Sequence, residues 1–238
     1  MIATPTINEG RTMQQSAKEI EIQRIVDTIT EAISEQKIPP GTRLIESQLI
    51  VHLQANRNHI RAALQRLAMK HLVTIKNNVG ASVSQPSFEE AKEIFAARLI
   101  IERGIIETLI NKLTKMDVAL LKKQLQKERI TVQSNNRADN IRESGNFHLL
   151  LAKLCDNLVI EELLKDLIAR SSLIISLYQQ QDNAQCDCNE HDQIIQHIEF
   201  KRTNDAIDCM AKHLQHLQLR QNMDLWEDTP VNLQNIFG

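Results

Sequence analysis

Residues 46–83 read ESQLIVHLQANRNHIRAALQRLAMKHLVTIKNNVGASV. From Arg57 to about Lys70 the apolar residues Ile60, Ala63, Leu64 and Leu67 recur at helical spacing. Asn56, just ahead of them, suits the N-cap. A shorter helix is predicted over Glu46 to Leu53, and Gln54-Ala55-Asn56 is the turn between the two. Leu72 to Lys76 then reads as a strand, Asn77-Asn78-Val79-Gly80 as a turn, and Ala81 to Ser84 as the return strand. Two short helices followed by a hairpin make a helix-turn-helix with a two-stranded wing.

Upstream, Ile22, Ile25, Val26, Ile29, Ala32 and Ile33 mark a longer helix over Lys18 to Gln36. Pro39-Pro40-Gly41 ends it, because proline cannot continue a helix and displaces the residue before it from the α region. Downstream, Pro86 marks a boundary, and Ser87-Phe88-Glu89-Glu90 forms a capping box for the next helix. Six helices are predicted after it, near Phe88–Lys112, Lys115–Ser134, Arg137–Cys155, Leu158–Gln180, Glu190–Lys201 and Asn204–Trp226. The fold class is therefore mainly α: an N-terminal winged helix-turn-helix and a C-terminal all-α six-helix bundle. The domains read as a flexible N-terminus over 1–17, a winged-helix DNA-binding domain over 18–86, a helical effector-binding and dimerisation domain over 87–226, and a tail over 227–238. The tail is expected to be loose, with Phe237 able to dock.

Composition supports this division. Only 6 Gly and 5 Pro leave little turn material for an all-β sandwich, and 3% aromatics weigh against base-stacking RNA platforms. No apolar run approaches the roughly 18 residues needed to span a membrane, and Met1 to Ala17 is polar, without a signal-peptide core. Cys155, Cys186, Cys188 and Cys209 are too few for a disulfide framework, which points to a reducing cytoplasm. Charge is uneven. Between Ile38 and Pro86 six cationic side chains meet one acid, Glu46, a net +5 in a chain of net −2. A basic module on an acidic body fits a nucleic-acid binder with a second task; a solvated basic face is the plainer account.

A recognition helix places its first residues against base edges while basic groups hold phosphates. Arg57, Asn58, His59 and Arg61 open the third helix, and Arg57 and Arg61 share a face. Arginine bridges guanine O6 and N7, and asparagine bridges adenine N6 and N7. Arg66 lies within reach of phosphate further along. Lys76 and Asn77 sit at the wing tip, where Gly80 permits close approach to the duplex.

The stretches Pro40 to Leu49, Asn56 to Leu67 and Asn78 to Val83 resemble the winged-helix domain of the GntR family of bacterial transcription regulators. The helical body resembles that family's ligand-binding FCD domain, in its six-helix VanR-type branch. The family usually has Ser-Arg-Thr-Pro-Val-Arg-Glu-Ala-Leu at the recognition helix; here Asn56, Asn58, His59 and Ala62 replace the Ser, Thr, Pro and Glu, and both arginines stand as Arg57 and Arg61. The resemblance implies a homodimer on palindromic double-stranded operator DNA, repression as the usual sign, and a small carboxylate effector.

It also implies a metal. FCD domains that bind one carry Asp-x-x-x-His on one helix and a histidine on each of the last two helices. His148, His191 and His213 match the histidines, and three imidazoles can hold a divalent ion such as zinc with a position left open. Ser144 stands at the aspartate position. Glu143 and Asn146 are nearby carboxylate and amide alternatives that face elsewhere on a regular helix. Arg98 matches the family's first-helix arginine, and Arg170 projects from the fourth body helix; each is a candidate partner for the effector carboxylate or for a structural ion pair. Asn157 reads as a cap, His197 and His216 as surface residues, and Cys186-x-Cys188 with His191 as a second, weaker zinc fragment. The alternative to a regulator is a metal-dependent enzyme acting on a small organic acid, which lacks an evident general base; a helical interaction module is the third.

Overall fold

A computed structural model describes residues 9–35, 37–134, 136–179, 184–220 and 233–237. The chain forms two compact units. One holds the described residues among Met1–Ile33, Lys37–Ser84 and Pro230–Gly238, the other those among Ser34–Gln36 and Gln85–Thr229.

In the first unit, α1 runs Glu9–Ser34, α2 Glu46–His52 and α3 Arg57–Met69. The side chain of Asn56 accepts from the His59 amide at 2.9 Å and so caps α3. Ile25, Ile29 and Ile33 of α1, Leu49 of α2, and Ile60 and Leu67 of α3 are wholly buried together with Leu44 and Val83 at the ends of the sheet strands. Each such side chain contributes roughly 1.5–3 kcal/mol by leaving water. The helix begins nine residues earlier than the apolar pattern predicts. Glu9 to Ala17 lacks an apolar stripe, so periodicity does not register it; residues 1–8 lie outside the described residues.

The sheet has three strands, not two. β2 (Val73–Lys76) and β3 (Gly80–Val83) form the expected hairpin, and β1 (Arg43–Leu44) adds on the far side of β3, giving the order β1-β3-β2. A two-residue strand carries no alternation to detect. At the wing turn Gly80 has φ +100°, and a β-carbon there would meet nothing within 4 Å. The positive backbone angle by itself calls for glycine there. In the same unit Leu233 is buried and α10 (Gln234–Phe237) packs on α2, while residues 227–232 of the expected tail lie outside the described residues.

The second unit contains six helices among the described residues: α4 (Phe88–Leu109), α5 (Lys115–Gln133), α6 (Arg137–Leu154), α7 (Leu158–Tyr178), α8 (Ala184–Glu199) and α9 (Thr203–Leu219). Ser87, Thr114, Asn136 and Asn157 each cap the helix that follows. α4 packs on α6, α7 and α9, α5 packs on α6 and α8, and α8 packs on α6 and α9. Gly145 lets α6 and α7 approach closely, since a β-carbon there would stand 3.0 Å from Cγ2 of Ile168. α8 starts at Ala184, not Glu190: residues 184–189 are polar but contain no helix breaker. The predicted end of the last helix at Trp226 lies outside the described residues. No described helix is long and apolar enough to cross a membrane.

Candidate metal centre and DNA-reading face

Three helices of the second unit bring His148 (α6), His191 (α8) and His213 (α9) together in the core. All three are buried. Nε2 of His213 lies 3.1 Å from Nε2 of His191 and 3.3 Å from Nε2 of His148. Phe147 stacks on His191 with ring centroids 4.1 Å apart and fixes its plane.

Each ring is held from behind by its own carboxylate. Nδ1 of His148 bonds Oε2 of Glu102 at 2.5 Å, Nδ1 of His191 bonds Oε2 of Glu128 at 2.8 Å, and Nδ1 of His213 bonds Oε2 of Glu190 at 2.8 Å. A carboxylate only accepts, so each Nδ1 carries the proton and each Nε2 presents a lone pair. Three lone pairs then converge with no proton between them. An ion bonded at about 2.0–2.1 Å to imidazoles in a tetrahedral array sets their nitrogens about 3.3 Å apart, so the donors fit a zinc-sized ion. Desolvation takes His148 down to about 4, with the neighbouring Arg98 charge acting the same way, and burial takes His213 well below the usual histidine value, so these two rings are neutral. Neutral imidazole is the ligating form.

Burial alone would push the Glu102 carboxyl up, but Arg98 and His148 together hold it at about 2. Arg98 is itself buried on α4. Its Nε donates to Glu102 at 2.8 Å, its Nη1 donates to Oγ of Ser171 at 3.1 Å, and its Nη2 has no partner among the described residues. Arg98, Glu102 and His148 thus form one continuous chain of bonds ending at the cluster.

The other sequence candidates are placed differently. Ser144 is half-buried on α6, one turn before His148. Glu143 accepts from Nε2 of Gln124 at 2.9 Å and from Asn146 at 3.3 Å, so both alternatives to an aspartate are engaged with each other. Arg170 pairs with Glu90 at 2.8 Å, away from the histidines' bonding network. His216 is half-exposed but bonds Oε1 of Glu190 at 2.5 Å, so it joins the network that sequence assigned to the surface. His197 is partly exposed, with Asp205 at 3.8 Å. Cys188 belongs to no ligating group among the described residues, and the Cys186 side chain lies outside them. Glu102 and Glu128 were missed as partners of histidine. They sit 46 and 63 positions from their rings, with no local signal joining them.

In the first unit Arg57 and Asn58 are exposed at the start of α3, and no acid among the described residues engages Arg57. Arg61 is also exposed but is held by Glu46 of α2 at 2.9 Å. Arg66 pairs with Glu19 of α1 at 2.7 Å, which sets it apart from the free Arg57. The His59 ring lies beside Nδ2 of Asn56. Lys76, Asn77 and Gly80 are exposed on the wing. Arg43 of β1 donates to the Val79 carbonyl at 2.5 Å and props the wing tip. The fork-shaped groups at the mouth of α3 and the basic wing together make a surface suited to a DNA groove and its phosphates.

Comparison with known proteins bears on both units. Residues 21–83 match the family model for bacterial regulatory proteins of the gntR family, and residues 93–216 match that for the FCD domain. The HTH-type transcriptional repressor RspR of Escherichia coli is 24% identical over 196 residues, covering 79% of this chain and 86% of its own. Among solved structures, a transcriptional regulator GntR from Rhodococcus sp. RHA1 aligns with TM-score 0.66 at 21% identity, covering 83% of this chain and 95% of its own. E. coli McbR/YncC aligns with TM-score 0.64 at 18% identity, covering 82% and 94%.

Proposed function

Because the chain belongs to the GntR family of bacterial transcription regulators, in its FCD-bearing branch, and is a DNA-binding regulator rather than an enzyme, we propose that it is a dimeric repressor whose operator affinity is set by a small carboxylate bound at a zinc-containing pocket. The observation that carries this is the meeting of three buried Nε2 lone pairs with an arginine whose Nη2 is unpaired, one carboxylate apart. A small di- or tricarboxylate would satisfy both: one end on the ion's open position, the other on Arg98. Ser144 leaves that open position uncontested by a protein carboxylate. Arg170, paired with Glu90, stands ready as a second cation only if that pair opens.

A bound ion would act here as a Lewis-acid anchor for the anion. The residues around it are all committed to holding rings. Glu102, Glu128 and Glu190 each accept from Nδ1, on the side of the ring away from Nε2, which makes them holders of the rings rather than a base at the open position and speaks against turnover. In the first unit Arg57, Asn58, His59 and Arg61 would read bases, and Arg66, Lys76, Asn77 and the Gly80 turn would follow the backbone. Two copies reading a palindrome explain why one conformation of the effector domain, favoured by ligand, changes affinity. Cytoplasmic residence follows from the DNA target.

The test is operator binding by the full chain. The protein should prefer a duplex from upstream of its own coding region over a scrambled one, with log affinity falling linearly in log salt at a slope of about −0.9 per phosphate contact. Zinc-loaded protein should release that duplex on addition of one member of a panel of small carboxylates. Equal binding to both duplexes at every salt concentration would contradict the proposal.

A further inference from the structure

Three imidazoles account for the donors at the centre but not for the charge around it. Glu128 is fully buried on α5; Oε2 meets His191, and Oε1 has no partner among the described residues. Glu190 is mostly buried and divides its oxygens between His213 and His216. Glu102 divides its own between Arg98 and His148. Arg98 offsets Glu102. Neither Glu128 nor Glu190 meets a lysine or arginine among the described residues. A carboxylate taken from water without a cation is strongly unfavourable. Two such carboxylates carry the charge that one divalent ion cancels.

We infer that Glu102, Glu128 and Glu190 are positioning residues that fix Nε2 as the ligand atom of each histidine and supply the counter-charge for a divalent cation. This rests on the metal centre proposed above. The three act through the rings and never touch the ion. Each keeps the Nδ1 proton on its own side and raises the basicity of the opposite nitrogen. Ser144 adds no charge, so the outer carboxylates do the balancing that a ligating one would do elsewhere.

The experiment has two readouts. In metal-free wild-type protein, two-bond nitrogen–proton correlation spectra should show all three rings protonated on Nδ1 and bare on Nε2. A ring found protonated on Nε2 would overturn the inference. Second, Glu128→Gln keeps the volume and an accepting oxygen but removes the charge. Zinc affinity, measured by competition with a chromophoric chelator, should fall roughly 10–100-fold. The His191 signals should shift toward mixed tautomers while those of His148 and His213 stay as in the wild type. Should Glu128→Gln not fold, Glu190→Gln, whose carboxylate reaches solvent, takes its place with the same readouts at His213. A folded variant with wild-type affinity overturns the inference. Zinc bound by wild type and lost on His148→Ala, with Glu128→Gln unchanged, would remove the carboxylates' role and leave the metal centre standing. A wild-type protein that takes up no zinc would remove both.

Discussion

Replacing His148 with alanine is expected to leave the protein without a stoichiometric divalent ion. The ring is one of the three proposed donors, no further His, Cys, Asp or Glu among the described residues joins the group, Ser144 is a neutral hydroxyl, and Glu143 and Asn146 are bonded to each other. Losing a donor costs more than the roughly 10–100-fold that losing an outer partner costs. Elemental analysis of purified protein measures this directly. Alanine would also leave Oε2 of Glu102 without its donor while Arg98 still pairs Oε1, and a buried acceptor left unsatisfied costs about 1–3 kcal/mol. His148→Gln separates the two effects, because an amide can still donate to Glu102. For the wild type, zinc at about 100 times its dissociation constant should add about 2.7 kcal/mol of stability, read as a rise in Tm. For His148→Gln the rise should vanish. A His148 variant that retains one ion per chain and the same rise in Tm would contradict the assignment of this ring as a ligand.

Arg57→Ala should erase most operator preference while leaving non-specific binding nearly intact. Arg57 is exposed at the first turn of α3 with no acidic partner among the described residues, so its guanidinium is available to a base edge. One bidentate arginine–guanine contact discriminates by about 1–3 kcal/mol, and a dimer makes it in both half-sites. Arg57→Lys should recover charge but little preference, because a point charge lacks the fork. Lys76→Ala on the wing should behave otherwise: affinity should drop alike for operator and scrambled duplex, and the salt slope should become shallower by about one. Anisotropy titrations across salt concentrations distinguish the two patterns. Unchanged preference in Arg57→Ala would mean that another element reads the bases.

Much of this architecture is legible in the sequence because its signals are local. The apolar period of Ile60, Ala63, Leu64 and Leu67 marks α3, Asn56 marks its start, and all four residues are buried as the period requires. Ser87 marks the start of α4, and its side chain accepts from the Glu90 amide three residues on. What escaped has a common cause. β1 is two residues long and exists only because β3 is there to pair with it. Glu9 to Ala17 is helical without an apolar stripe. The histidines were found through a family pattern, not through any local periodicity. Their carboxylate partners Glu102 and Glu128 come from α4 and α5, distant in sequence, and only the packing of the bundle brings them behind the rings. His216 looks like a surface residue because it is half-exposed, yet Glu190 ties it to the centre.

Crystals grown with zinc and measured across the zinc absorption edge would test the central claim most directly. One anomalous peak per chain, bonded to Nε2 of His148, His191 and His213 at about 2.0–2.1 Å, is the expected result. A peak held by other residues, or three rings hydrogen-bonded to one another with no peak among them, would contradict it.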